Sequence, residues 1–320
     1  MDYVKLGNAE FNVSRFCLGC MSFGDPASNM HAWTLNPNES EAIIKHALDL
    51  GINFIDTANT YSAGTSEEYL GRALKKNIAR DKVILATKVY FNEGQLSKVA
   101  IEREINGSLK RLGTDYVDLY IIHRYDYNTP IEETMAALHN LVKAGKVRAL
   151  GASAMYGYQF YNMQIAAIQN GWTTFVSMQN HYNLLYREDE RELIPICKQF
   201  NVALTPYSPL AAGRLARLAW HTDTLRSKTD QTAITKYDST EKTDSNIVQK
   251  VQELAENYGV TMTQIALAWQ FAKGVTSPII GATKTQYLDD AVASLNISLS
   301  KEDIAQLEAF YLPHRIVGAL

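Results

Sequence analysis

Short apolar, β-branched runs alternate along this chain with longer stretches whose apolar residues recur every three or four positions. That alternation is the signature of repeated parallel βα units. Eight strands are predicted: Arg15 to Leu18, Asn53 to Asp56, Val83 to Lys88, Val117 to His123, Val147 to Ala152, Thr174 to Gln179, Val202 to Pro206 and Pro278 to Gly281. Between them, Met135, Leu138, Leu141 and Val142 give one helix an inward face. Thr65 with Glu68, Thr129 followed by Pro130 and Glu132, and Ser300 with Asp303 fit helix starts, while Gly51 and Gly145 fit helix stops. Two segments lie outside the repeat. Tyr3 to Leu6 and Glu10 to Val13, around Gly7-Asn8, predict a β-hairpin able to plug the bottom of a barrel. The polar run from His221 to Ser245, after the seventh strand, predicts a lid or a disordered loop.

The expectation is an α/β protein, a single (β/α)8 TIM barrel forming one domain over residues 1–320, with an N-terminal hairpin plug and a long loop after strand seven. No G-x-G-x-x-G follows a strand, which argues against a Rossmann fold, and no side-chain repeat of about twenty to fifty residues is present. With 46% hydrophobic and 20% charged residues and a net charge of -3, nothing favours nucleic acid or an anionic membrane as partner. The N-terminus lacks a basic-then-apolar signature and no apolar run is long enough for a bilayer, so a cytoplasmic protein is expected. Cys17, Cys20 and Cys197 are odd in number, Cys17 and Cys20 lie on or next to an apolar strand rather than in a cysteine-rich scaffold, and all three are expected to be reduced. A homo-oligomer is left open.

Four polar residues stand at or just beyond the C-terminal ends of strands, where such a barrel gathers its chemistry: Asp56, Tyr61, Lys88 and His123. Singly, each has a plain structural reading: Asp56 as a loop cap, Lys88 as an exposed strand end, His123 as a core histidine. Together, with Tyr61 five residues after Asp56 in Asp-Thr-Ala-Asn-Thr-Tyr-Ser, they resemble the aldo-keto reductase family. The resemblance runs from about Leu6 to about Leu312 and includes Gly51-Ile52-Asn53-Phe54-Ile55-Asp56-Thr57-Ala58, Ala86-Thr87-Lys88, Ile122-His123-Arg124, Gly145-Lys146-Val147-Arg148, Tyr207-Ser208-Pro209-Leu210 and Pro278-Ile279-Ile280-Gly281. Within the family it is most similar to the bacterial, potassium-channel-β-like branch.

The chemistry explains those residue types. Adding hydride to a carbonyl carbon leaves negative charge on oxygen, so a proton must be supplied close to it. The resemblance implies Tyr61 as that acid. Drawing a phenol from about 10 to about 7 or 8 takes roughly 3 to 4 kcal/mol of preference for the phenolate. One cation at about 4 Å and an effective dielectric near 20 is worth roughly 4 kcal/mol, the role implied for Lys88. Asp56 would keep that ammonium charged, and His123 would orient the carbonyl; the division of proton donation between Tyr61 and His123 stays open.

No side chain donates hydride, so a nicotinamide cofactor is implied. The resemblance gives Ser153 and Gln179 to its carboxamide and Tyr207 to stacking on the ring. It gives Ser208, Leu210, Gly213 and Arg214 to the pyrophosphate. It also gives Gly281, Thr283, Lys284 and Asp290 to the adenosine end, with Lys284 favouring NADPH over NADH. Ala154 and Ala291 stand where many members carry asparagine. Phe23, Trp33, Tyr90 and Arg124, with Phe91 and Tyr125, are candidates for an aromatic pocket wall suiting a small-molecule carbonyl substrate. Trp220 and Pro313-His314-Arg315 are further candidates to close over the site, but read more simply as solvated surface. No metal is expected, since no His-Glu-x-x-His or cysteine knuckle occurs.

The reaction expected is NADPH-dependent reduction of aldehydes or ketones. The alternative is a cofactor-binding, channel-β-like regulatory subunit with little turnover, against which the lack of a long N-terminal extension argues. A glycoside hydrolase would need a second acid at a strand end, and only Asp56 is so placed. An alcohol dehydrogenase would use the same residues in reverse.

Overall fold

The computed structural model describes residues 1–28 and 30–318. The N-terminal hairpin is formed by β1 (Tyr3–Lys5) and β2 (Asn12–Ser14). Eight parallel strands follow: β3 (Cys17–Gly19), β4 (Phe54–Asp56), β5 (Ile84–Val89), β6 (Val117–Ile122), β7 (Val147–Ser153), β8 (Phe175–Gln179), β9 (Ala203–Leu204) and β10 (Ile279–Ile280). They are neighbours in chain order, and β10 returns to pair with β3. Between β9 and β10 the ladder is reduced to single bonds: Thr276 N donates to Leu204 O at 3.0 Å and Ile279 N to Pro206 O at 2.9 Å. These bonds close the barrel, leaving no free sheet edge.

Around the sheet lie α1 (Pro37–Asp49), α2 (Thr65–Asn77), α3 (Lys98–Leu112), α4 (Ile131–Lys143), α5 (Gly157–Gln169), α6 (Leu193–Gln199), α7 (Leu225–Thr229), α8 (Gln231–Tyr237), α9 (Glu241–Tyr258), α10 (Met262–Ala272), α11 (Thr285–Ala293) and α12 (Lys301–Glu308). Ser300 caps α12 with Asp303 in a reciprocal box, as the sequence predicts. Gly51 and Gly145 follow α1 and α4 at φ +84° and +73°. Two predicted caps shift by one residue. Gly64 precedes α2, because the Thr65 hydroxyl turns back to Ser62 O, and Pro130 precedes α4, because the Thr129 hydroxyl binds Asp126.

Side-chain alternation splits the strands into two cores. Outward residues pack under the helices, and the buried Glu67 of α2 fixes β5 there, accepting from the Thr87 hydroxyl and from Arg111 of α3, each at 2.6 Å. Inward residues Cys17, Phe54, Ile84, Ala86, Leu119, Ile121, Ala149, Val176, Ala203 and Ile279 form the barrel interior together with Leu6, Ala9 and Val13 of the hairpin. The hairpin is therefore the plug that the sequence predicts. Asn53 clasps it through Ser14, and Asn8 ties it to Phe200 O at 3.0 Å.

The run from His221 to Ser245 departs from expectation. It is neither a loop nor disordered: Thr224 caps α7, Asp230 caps α8, and α9 begins at Glu241. Ala233, Tyr237 and Asp244 of this run are buried. Four-residue spacing of Ala233 and Tyr237 sets one face of α8 against the barrel mouth, and Gln231, Thr232 and Thr235 face solvent.

Gly7 sits at φ +54° with its missing Cβ aimed at Val176 O, 2.3 Å away. Gly7→Ala combines strain with a backbone clash and should lower stability by about 2 kcal/mol, read as an earlier urea midpoint. An unchanged midpoint would mean that the plug is not anchored through this turn.

Candidate active site at the C-terminal mouth of the barrel

The inward positions of three neighbouring strands run Phe54, Asp56; Ile84, Ala86, Lys88; and Leu119, Ile121, His123. One step above the apolar plug, period-two alternation therefore turns three polar side chains into the same interior. Lys88 is fully buried. Its Nζ donates to Asp56 Oδ2 at 2.5 Å and to Thr57 O at 2.8 Å, and lies 4.7 Å from the centre of the Tyr61 ring. The other carboxylate oxygen of Asp56 accepts from Gln179 Nε2 at 3.0 Å. Tyr61 meets the His123 ring edge-on at 5.8 Å.

The turn that presents Tyr61 is strained. Ser62 and Ala63 lie at φ +46° and +54°, conformations that cost roughly 1–3 kcal/mol each unless the surroundings enforce them. Here they are enforced: Thr65 Oγ1 donates to Ser62 O at 2.7 Å, and Met30 Sδ accepts from Ser62 N at 3.1 Å.

Burial alone would push the Lys88 ammonium down, but Asp56 and Tyr61 outweigh it and hold it above its ordinary value. Burial raises the Tyr61 phenol, and the charge of Lys88 offsets this only in part. The sequence expectation of a phenol drawn down towards neutrality is thus not met by the protein's own groups, and Tyr61 keeps its proton at neutral pH. His123 is driven well below the ordinary histidine value by burial, then by the charges of Lys88 and Arg124, so its ring is neutral. Its buried Nδ1 has no partner among the described residues.

The predicted cofactor residues fall in three places around the mouth. Ser153 and Gln179 pair at the ends of β7 and β8, and Ser153 Oγ donates to Gln179 O at 2.8 Å. After β9, Ser208, Ala211, Ala212 and Gly213 all have positive φ, and Leu210 between them packs on the outer core. Ala211 N, Gly213 N and Arg214 N close tight turns here, on Ser208 O, Leu210 O and Ala211 O. Gly281, Thr283 and Lys284 lead into α11, with nothing near where a Gly281 Cβ would be, which leaves that surface open. This donor set suits an extended dinucleotide. Three side chains are engaged within the protein, however: Gln179 on Asp56, Arg214 on Asp238, and Asp290 on Thr261 and Gln264 at 2.8 Å each. Tyr207 stacks on His181 at 5.2 Å, and Lys236 lies over its ring at 4.5 Å.

The predicted pocket wall is divided. Phe23 is wholly enclosed in the outer core, a correction to its expected place on the wall. Trp33 is buried against His31, under Arg226. Tyr90, Arg124 and Tyr125 are half-buried, and Arg124 donates to His123 O at 2.8 Å. Phe91 stands nearest the chemistry, edge-on to His123 at 5.0 Å, and also borders a cavity of about 420 Å³ with Asn59, Thr60, Ala63, Asn92 and Glu104.

Of the two segments read as solvated surface, Pro313 and Arg315 are exposed as expected, but Trp220 and His314 are not. Trp220 is buried beneath Arg214, and His314 is tied to Asp244 at 3.1 Å. The backbone N–H of His314 and the Tyr311 hydroxyl both donate to Glu188, and Val317 N donates to the Tyr186 hydroxyl, drawing the tail over His181 and Tyr207. Residue type gave no hint of these long-range ties. Lys236 was likewise missed, because its run was read as a loop.

His181 is also held well below the ordinary value, by burial first and Lys236 second. Both rings stay neutral in the folded chain while the unfolded chain takes up protons below about pH 6.5, so stability is full above that pH and falls beneath it. Each should remove about 1.4 kcal/mol per pH unit in that window. Urea midpoints measured from about pH 7.5 to about pH 5.5 check this, and His181→Gln should flatten the decline; an unaltered slope would contradict it.

The Aldo/keto reductase family matches residues 15–312. A versiconal hemiacetal acetate reductase of Aspergillus parasiticus is 42% identical over 99% of this chain and 98% of its own length. A putative aryl-alcohol dehydrogenase of Schizosaccharomyces pombe is 41% identical over 99% and 98%, and one of Saccharomyces cerevisiae 38% identical over 98% and 97%. These relatives are fungal, and none of the three bears a name of the potassium-channel-β kind, so the bacterial branch expected from the sequence gains no support. With the family matched along nearly the whole chain, the protein is an oxidoreductase that belongs to the Aldo/keto reductase family.

Proposed function

We propose that the protein reduces aldehydes or ketones with NADPH, Tyr61 acting as the acid. The observation that carries this is the buried Lys88, held between Asp56 and the face of Tyr61, with a neutral His123 on the other side. Reduced nicotinamide supplies the hydride when bound. A carbonyl oxygen near the phenol and the imidazole finds a proton at Tyr61 and a hydrogen-bond partner at His123, while Lys88 steadies the phenolate left behind. Asp56 keeps Lys88 charged. Aromatic walls at Phe91 and Tyr90 suit a planar substrate, in keeping with relatives named as aryl-alcohol dehydrogenases. Ser153 and Gln179 suit the carboxamide, and Tyr207 the ring. The left-handed stretch from Ser208 through Leu210 to Gly213, with Arg214, suits the pyrophosphate; Gly281, Thr283, Lys284 and Asp290 suit the adenosine end. Three cysteines, all buried and unpaired, accord with work in a reducing cytoplasm. No helix among the described residues is long and apolar enough to cross a membrane.

Fluorescence titration with NADPH and NADH, followed by NADPH oxidation against a panel of aromatic, aliphatic and sugar-derived carbonyls, tests this reading. Tyr61→Phe should lower turnover by about a thousandfold or more while leaving NADPH binding within a fewfold, consistent with loss of a general acid; wild-type rates in that variant would overturn the mechanism. Lys284→Ala should weaken NADPH about tenfold more than NADH, since a charge-assisted contact to the 2′-phosphate is lost. Equal weakening of both would remove Lys284 from that role. Tight NADPH binding with no turnover across the panel would favour a regulatory, cofactor-holding subunit instead.

A further inference from the structure

Two cations at the barrel mouth form no ion pair among the described residues, though the charge of Asp230 acts on one of them, Lys236. Arg124 follows the catalytic His123 and donates to His123 O; Lys236, on α8, approaches the Tyr207 hydroxyl at 3.4 Å and the Tyr207 ring at 4.5 Å. Both are half-buried, and among the described residues neither forms an ion pair. The carboxylates around them are engaged elsewhere. Asp126 accepts from Leu96 N, Asn128 N and the Thr129 hydroxyl; Asp230 caps α8 and pairs with Arg226; Asp189 accepts from Asn180; Asp56 is held by Lys88 and Gln179. Burial first, and the charge of Arg124 second, lower the Lys236 ammonium to about 8. Arg124 stands over the Phe91 ring at 5.6 Å, beside His123, and its charge acts on both Tyr61 and Tyr207.

Like charges brought together in a half-dry mouth raise the free energy of the empty site, and an anion arriving there relieves it. We infer that Arg124 and Lys236 form an anion-recognition site beside the catalytic tyrosine, and that the carbonyl compound reduced here carries a carboxylate. The inference rests on the reductase reading. Arg124 fixes the anion on the His123 side through a planar guanidinium, Lys236 meets it from α8, and Phe91, with Arg124 5.6 Å above its ring, lies along the apolar body of the substrate. The run read from sequence as a lid thus contributes a specificity residue to the site.

Isothermal titration of the NADP-saturated protein, and of the protein alone, with para-carboxybenzaldehyde and with its methyl ester measures the preference for the charged compound without turnover. The carboxylate is expected to bind about tenfold tighter than the ester, and Arg124→Met and Lys236→Met should each remove most of that preference, while Lys236→Arg retains it. Equal binding of acid and ester by the wild type, or a preference untouched by both methionine variants, overturns the inference. So does a preference that survives while NADP binding weakens tenfold or more in the variants, which would assign the cations to the cofactor's phosphates. Oxidation of NADPH by the wild type with the ester but no carboxylate preference sinks this inference and leaves the reductase reading standing. A carboxylate preference lost in the variants, with neither aldehyde reduced, does the reverse.

Discussion

The structure depends on keeping a lysine charged in a place that water does not reach. Lys88 has no exposed surface, and an ammonium there without partners would lose its proton rather than stay desolvated. Asp56 and the carbonyl of Thr57, both from the neighbouring strand and the residue after it, remove that cost. The arrangement fixes the register of β4 on β5, because a slip by one residue would turn either partner out of the barrel. Gln179, reaching across from β8, satisfies the second carboxylate oxygen, so the pair also ties opposite sides of the barrel together.

The plug below and the belt above make this interior dry. Leu6, Ala9 and Val13 of the hairpin fill the bottom with apolar side chains, and the layer over them turns polar where Asp56, Lys88, His123, Ser177 and Gln179 enter. Above that layer, α8 and the C-terminal tail converge on His181 and Tyr207: the Tyr237 hydroxyl meets His181 at 2.7 Å, and Val317 N donates to the Tyr186 hydroxyl. Strain is concentrated at this rim. Ser62, Ala63, Ala154, Ser208, Ala211 and Ala212 all take positive φ beside candidate site residues, the distribution expected where loops hold side chains and backbone groups for binding rather than for stability.

Much of this was legible in the chain itself. The alternation of β-branched runs and helical spacing gave the eight strands in order, the hairpin, and four strand-end residues whose convergence follows from a period of two. Boundaries moved by one or two residues because hydrogen bonding, not composition, ends an element: Arg15 lies before β3, and Thr65 and Thr129 gave up their caps to local side-chain bonds. The polar run after β9 reads as a loop because its buried apolar positions, Ala233 and Tyr237, are sparse.

What the sequence determined is therefore the set of contacts made between neighbours along the chain or on adjacent strands, where spacing alone decides which side chains share a face. What the tertiary structure decided is which partner each charged group takes: Gln179 on Asp56, Asp238 on Arg214, Asp244 on His314, and, among the described residues, no paired carboxylate on Arg124 or Lys236. The physical reason is that a pairing between residues far apart in sequence depends on angstrom-scale distance and on local dielectric. Both exist only once the barrel has closed.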